Sequence, residues 1–112
     1  MKRTPKLFLE DIRASIEKAV RYVEGLSFDD FVNDEKTIDS VVRNLEIIGE
    51  ASKNVPEEIR SKYSEIPWGD MIGMRNKIIH VYFVVEPAIV WKAVKEELPE
   101  LKSKIEEVLK SL

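Results

Sequence analysis

The stretch Asp34-Glu-Lys-Thr-Ile-Asp-Ser-Val-Val-Arg-Asn-Leu-Glu-Ile-Ile-Gly-Glu-Ala-Ser-Lys-Asn-Val55 decides the fold class. Ile38, Val41, Val42, Leu45 and Ile48 recur at steps of three and four, with Val55 closing the run. That spacing puts them on one face of a long helix, and the stretch is far too long for a strand. Asp34 stands where an N-cap belongs, because its carboxylate can accept from a free backbone N–H of the first turn. Gly49 and Ala51 are small residues inside the helix. Glycine there costs about 1 kcal/mol relative to alanine, and the plain reason for its presence is the close approach of another helix. A helix with one apolar face needs partners, and the flanking sequence supplies them.

On the N-terminal side, Thr4-Pro5 is a helix start, a hydroxyl cap followed by proline at the first helical position. Phe8, Ile12, Ile16, Ala19, Val20 and Val23 then share one face, and Gly25 ends the helix. Ser27-Phe-Asp-Asp30 has the form of a capping box, predicting a short turn of helix over Phe28–Val32. On the C-terminal side, Pro56 opens a short segment, Glu57–Tyr63. Pro67-Trp-Gly-Asp70 opens a third main helix reaching Ile79 or His80, with Met71, Ile72, Met74, Ile78 and Ile79 as its apolar surface. Val81-Tyr-Phe-Val-Val85 has strand composition, but no partner run stands out elsewhere, and an unpaired strand is not viable. It reads as an extended connection. Glu86-Pro87 opens a fourth helix, which Pro99 either kinks or restarts. Leu101, Ile105, Val108, Leu109 and Leu112 mark the tail. The expectation is an all-α, up-and-down bundle of four to five helices in one domain over residues 1–112.

Composition narrows the chemistry. The chain has 112 residues, 44% of them hydrophobic, with 18 Lys+Arg against 21 Asp+Glu. A net charge of −3 excludes a binder that works through overall positive charge, though not a local basic cleft. With no cysteine and one histidine, a disulfide, a thiolate zinc site, a cysteine nucleophile and a multi-histidine metal site within one chain are excluded. No apolar run reaches the ~18–20 residues of a membrane span. Met1-Lys-Arg-Thr-Pro-Lys6 is not followed by an apolar core, so the expected location is the cytoplasm.

The one histidine lies in Arg75-Asn-Lys-Ile-Ile-His-Val-Tyr82. If the third helix runs through, Asn76 and His80 stand one turn apart, about 40° around the axis. Arg75 flanks that face, and Tyr82 falls just past the helix end. A guanidinium presents a planar fork matched to phosphate oxygens. An imidazole can take a proton from a ribose 2′-hydroxyl or give one to a leaving oxygen near neutral pH. A carboxamide can orient the imidazole or donate to a developing oxyanion. Spacing alone also admits a structural reading, with histidine capping the last carbonyls and Arg75 and Tyr82 merely packing. Trp68 and Trp91 read as core or interface anchors. Glu46 and Glu50, one turn apart, read as a solvated face.

The segment resembles the Arg-x4-His-x-Tyr signature of HepT-like proteins, a branch of the HEPN superfamily of small α-helical domains. Arg43-Asn-Leu-Glu-Ile-Ile-Gly-Glu-Ala51, Ile66-Pro-Trp68, Ile72-Gly-Met-Arg-Asn76, His80-Val-Tyr-Phe83 and Val90-Trp91 extend the resemblance from about residue 5 to residue 110. It implies a metal-independent endoribonuclease toxin of a toxin–antitoxin module, with RNA as substrate and no cofactor. Arg75 and His80 would be catalytic, with Asn76 assisting. The implied partner is a minimal nucleotidyltransferase antitoxin that adds AMP to Tyr82. The implied alternative is a non-catalytic companion subunit that holds nucleotide or substrate for such a transferase. Counting adds an expectation of assembly. A cleavage that uses both a general base and a general acid needs a second imidazole, which only another copy can supply. A homodimer is therefore expected, with Met71, Met74, Ile78 and Phe83 contributing to its interface.

Overall fold

The computed structural model describes residues 3–80 and 84–112, and for residues 75, 79, 80 and 84 the backbone alone. Helix α1 spans Pro5–Tyr22, where Thr4 Oγ1 accepts from the Leu7 N–H and Pro5 opens the first turn. The chain leaves the helix at Val23 and turns through Gly25, whose φ of 78° lies in the left-handed region that favours glycine. Helix α2, Phe28–Val32, begins with the expected capping box. The Asp30 N–H donates to Ser27 Oγ at 3.1 Å, and the Ser27 N–H donates to the Asp30 carboxylate at 3.0 Å.

Helix α3, Glu35–Asn54, is the axis of the molecule. Its buried face of Ile38, Val41, Val42, Leu45 and Ile48 meets Leu9, Ile12, Ile16 and Ala19 of α1. Helix α4 is Glu57–Lys62. Helix α8, Leu98–Ser111, lies against α1 and adds Leu98, Leu101, Ile105 and Val108 to the same core. Fully burying a side chain of this kind contributes roughly 1.5–3 kcal/mol, so this shared face carries the fold.

The third main helix is not continuous. It divides into α5, Trp68–Ile72, and α6, Met74–Ile78, with Gly73 between them. The chain then becomes extended at β1, Ile79–His80, which pairs antiparallel with β2, Val84–Val85, in the register Ile79↔Val85 and His80↔Val84. Val84-Val85, the described part of the expected extended connection, therefore does have a strand partner, and it lies a few residues earlier in sequence. In a continued helix the Ile78 carbonyl would accept from the N–H four residues on. Here it accepts from the Glu86 N–H at 3.1 Å. Two β-branched residues in succession, Ile78 and Ile79, suit that exit.

The expected fourth helix opens as α7, Pro87–Lys92, and passes into a widened π segment, Ala93–Glu97, before α8. The Leu98 N–H donates five residues back to the Ala93 carbonyl. Pro99 lacks an N–H and crowds the carbonyl four residues before it, and the wider turn just upstream accommodates both effects. Pro99 thus sits in the first turn of α8, as a restart. The fold class is all-α, with a two-stranded ribbon of four residues inserted beside α6.

Candidate active site at the α6–β1 junction

Arg75 and Asn76 are the second and third residues of α6, and His80 is the last residue of β1. Sequence spacing on an unbroken helix would stack His80 one turn beyond Asn76. The structure corrects this, because the helix ends at Ile78 and His80 stands on an extended arm. The backbone of Arg75, Asn76 and His80 thus follows a helix-to-ribbon junction instead of one helical face. Tyr82, expected beside them, and Phe83 lie outside the described residues.

The junction is fixed from three sides. The Asn76 and Lys77 N–H groups donate to the Gly73 carbonyl at 3.0 and 3.2 Å, so the first turn of α6 hangs from Gly73. The Gly73 N–H donates to the Gly69 carbonyl at 2.9 Å, tying that residue back to α5. The bond from Glu86 to Ile78 ties the start of α7 to the end of α6. Asn76 is exposed, while Met74 and Ile78 on the inner side are buried. The Lys77 ammonium pairs with the Asp70 carboxylate at 3.4 Å across the α5–α6 break, and both side chains are largely in solvent. Such an exposed pair contributes at most about 1 kcal/mol.

Three sequence expectations about neighbouring residues can be placed. Trp68 is a core anchor, buried with its Nε1–H donating to the Tyr63 carbonyl at 3.0 Å. Trp91 is half-buried against Phe28 and Phe31, at centroid distances of 5.8 and 5.1 Å, with the Lys95 ammonium 4.9 Å from its ring centre. Glu50 is exposed and Glu46 half-buried, in a groove between α1 and α3 that Asp11 and Arg43 also line. A fourth expectation needs correcting. Met71, Met74 and Ile78 were to supply apolar surface for a second copy, but they are only 1%, 8% and 1% exposed. They fill the chain's own core where α5 and α6 pack on α3. What remains outside is a cavity of about 240 Å³ over Met71, Met74 and Ile78, rimmed by Asp70, Lys77 and Glu97.

Sequence reasoning missed the ribbon, although signals for it were present. Ile78-Ile79 and Val84-Val85 are two short β-branched runs a few residues apart, a hairpin spacing, and Gly73 marks the break before them. At Gly49 the expected close approach of another helix is present. A Cβ at Gly49 would lie 2.9 Å from the Met71 carbonyl oxygen, so α3 and α5 meet backbone to backbone.

No helix among the described residues is long and apolar enough to cross a membrane. Comparison with known proteins places the chain. The family described as "Ribonuclease HepT-like" matches residues 12–108. A protein of Thermococcus cleftensis named "Probable ribonuclease HepT" is 48% identical over 110 residues, covering 98% of this chain and 100% of that protein. A protein of Caldanaerobacter subterraneus subsp. tengcongensis named "Putative RNase TTE0752" is 46% identical over 107 residues, 96% of each chain. A Methanocaldococcus jannaschii protein named "Gamma-glutamylcyclotransferase and putative RNase MJ0434" is 39% identical over 112 residues, all of this chain and 50% of that protein. No solved structure matches. A family match across most of the chain, together with two relatives at 48% and 46% identity of which 100% and 96% are covered, leaves one conclusion: the chain belongs to the HepT-like ribonuclease family.

Proposed function

We propose that the protein is a metal-independent endoribonuclease whose active site is built from Arg75, Asn76 and His80. The observation that carries this reading is the Arg75-to-Tyr82 segment itself, set within a family match that covers residues 12–108. The His80 imidazole takes the proton of a ribose 2′-hydroxyl, and the freed oxygen attacks the adjacent phosphorus. The P–O5′ bond breaks, a second imidazole protonates the leaving oxygen, and a 2′,3′-cyclic phosphate remains. The Arg75 guanidinium neutralises charge on the equatorial phosphate oxygens. Asn76 orients the imidazole or donates to the same oxygens. The route uses only proton transfer and a fixed cation, and so calls for no metal.

The second imidazole belongs to another copy of the chain, so the working unit is a homodimer with the cleft across its twofold axis. Since Met71, Met74 and Ile78 are occupied in the protomer core, that interface draws on other surface. Regulation belongs to a minimal nucleotidyltransferase antitoxin. The Tyr82 phenol oxygen attacks the α-phosphorus of ATP, pyrophosphate leaves, and the tyrosine carries AMP. The added bulk and negative charge repel an RNA phosphate from the cleft.

The test is incubation with mixed RNA in EDTA, followed by gel analysis. Cleavage by the wild type, abolished in His80→Ala and Arg75→Ala with folding intact, is the expected result. Intact RNA with wild-type protein contradicts the enzyme reading. Co-expression with the transferase, followed by mass spectrometry, is expected to find AMP on the peptide containing Tyr82. AMP on Tyr22 or Tyr63 instead contradicts the proposed regulation.

A further inference from the structure

Gly49 lies inside α3, five residues before its end, and is buried, a position where glycine is a poor choice by helix propensity. A Cβ built there would sit 2.9 Å from the Met71 carbonyl oxygen, 3.6 Å from the Ile72 carbonyl oxygen and 3.9 Å from the Met71 carbonyl carbon. All three atoms are backbone of α5, so no side-chain rotation can relieve the clash. The neighbouring side chains hold α5 down at this depth, since Ile48 and Met71 are almost fully buried beside the contact. Adding a methyl group at residue 49 must therefore lift α5 from α3.

The lift is transmitted forward by hydrogen bonds. The Gly73 N–H is held by the Gly69 carbonyl of α5, and the Gly73 carbonyl holds the Asn76 and Lys77 N–H groups of α6. Arg75 and Asn76 belong to that first turn of α6, five or fewer residues beyond the contact with Gly49. We propose that Gly49 is a positioning residue: it sets the depth at which α5 and α6 seat on α3, and with it the place of Arg75 and Asn76 in the cleft. The proposal rests on the reading of Arg75 and Asn76 as site residues. Misplacing a catalytic group by about 1 Å can cost on the order of a hundredfold in rate.

The experiment compares Gly49→Ala with Val108→Ala, a core truncation on α8. Helical content is followed by circular dichroism, kcat and KM by RNA cleavage in EDTA, and the Asn76 side-chain amide by NMR. Gly49→Ala is expected to stay helical, lose at least about tenfold in kcat, keep KM within about twofold, and shift the Asn76 amide signal. Val108→Ala is expected to lower thermal stability and leave kcat and the Asn76 signal unchanged. Wild-type kcat with an unmoved Asn76 signal in Gly49→Ala overturns the proposal, and so does an equal loss of kcat in Val108→Ala. If Gly49→Ala does not fold in plain buffer, the measurements are repeated in trimethylamine N-oxide, an osmolyte that favours the folded state. Recovery of the fold with low kcat then supports the proposal, and recovery with full kcat overturns it. A wild type that cleaves no RNA overturns the ribonuclease reading instead, and the seating of α6 is then decided by the Asn76 signal alone.

Discussion

Asp34 shows how a single side chain links local sequence to stability. Its carboxylate accepts from the Thr37 hydroxyl at 2.6 Å and from the Thr37 N–H at 3.0 Å. These two hydrogen bonds, the hydroxyl's first, favour the charged form and lower the Asp34 pKa below the ordinary carboxylate value. A folded-state pKa below the unfolded one means that the contribution is complete above the unfolded value. It is lost as pH falls through the lowered folded value. Asp34→Ala is therefore expected to lower the thermal midpoint at neutral pH, with the gap to wild type closing only as pH falls below about 4. A gap that stays constant over that range contradicts the capping account. This cap was legible in the sequence because it depends only on residues three apart. Thr4, Pro5 and the Ser27–Asp30 box were legible for the same reason. The place of His80 was not, because the exit of the chain from α6 is decided by a bond from Glu86, eight residues after Ile78.

At the scale of elements, apolar periodicity located α1, α3 and α8 because each buries one stripe against its neighbours. It failed over residues 67–85, where periodicity is nearly the same for one long helix and for two short ones broken at Gly73. The ribbon register that places His80 opposite Val84 is a property of pairing between neighbouring segments, which periodicity within one segment does not encode. The turn after α1 offers a cleaner test of local reasoning. At Gly25 a side chain would meet no atom within 4 Å, yet φ is +78°. Gly25→Ala is expected to destabilise the protein by about 1–2 kcal/mol through backbone strain alone. Equilibrium urea denaturation measures this, and an unchanged midpoint with an unchanged slope contradicts it.

At the scale of the whole molecule, the chain is slightly acidic, with the histidine count of one that makes assembly part of the chemical proposal. Mixing wild-type and His80→Ala chains, with light scattering to establish the dimer, tests the shared cleft. Mixed dimers are expected to lose most of their activity, whereas a fully active monomer or mixed dimers with full activity per wild-type chain contradict it. The central claim concerns the bond that is broken and how, so the most direct measurement is the chemistry of the product ends. A defined RNA is cleaved by wild-type protein in EDTA, and the new 3′ ends are identified by mass spectrometry, with His80→Ala as the control. The account predicts 2′,3′-cyclic phosphate ends, formed without added metal and absent with His80→Ala. New 5′-phosphate ends that appear only with Mg²⁺, or cyclic ends that persist with His80→Ala, would contradict it.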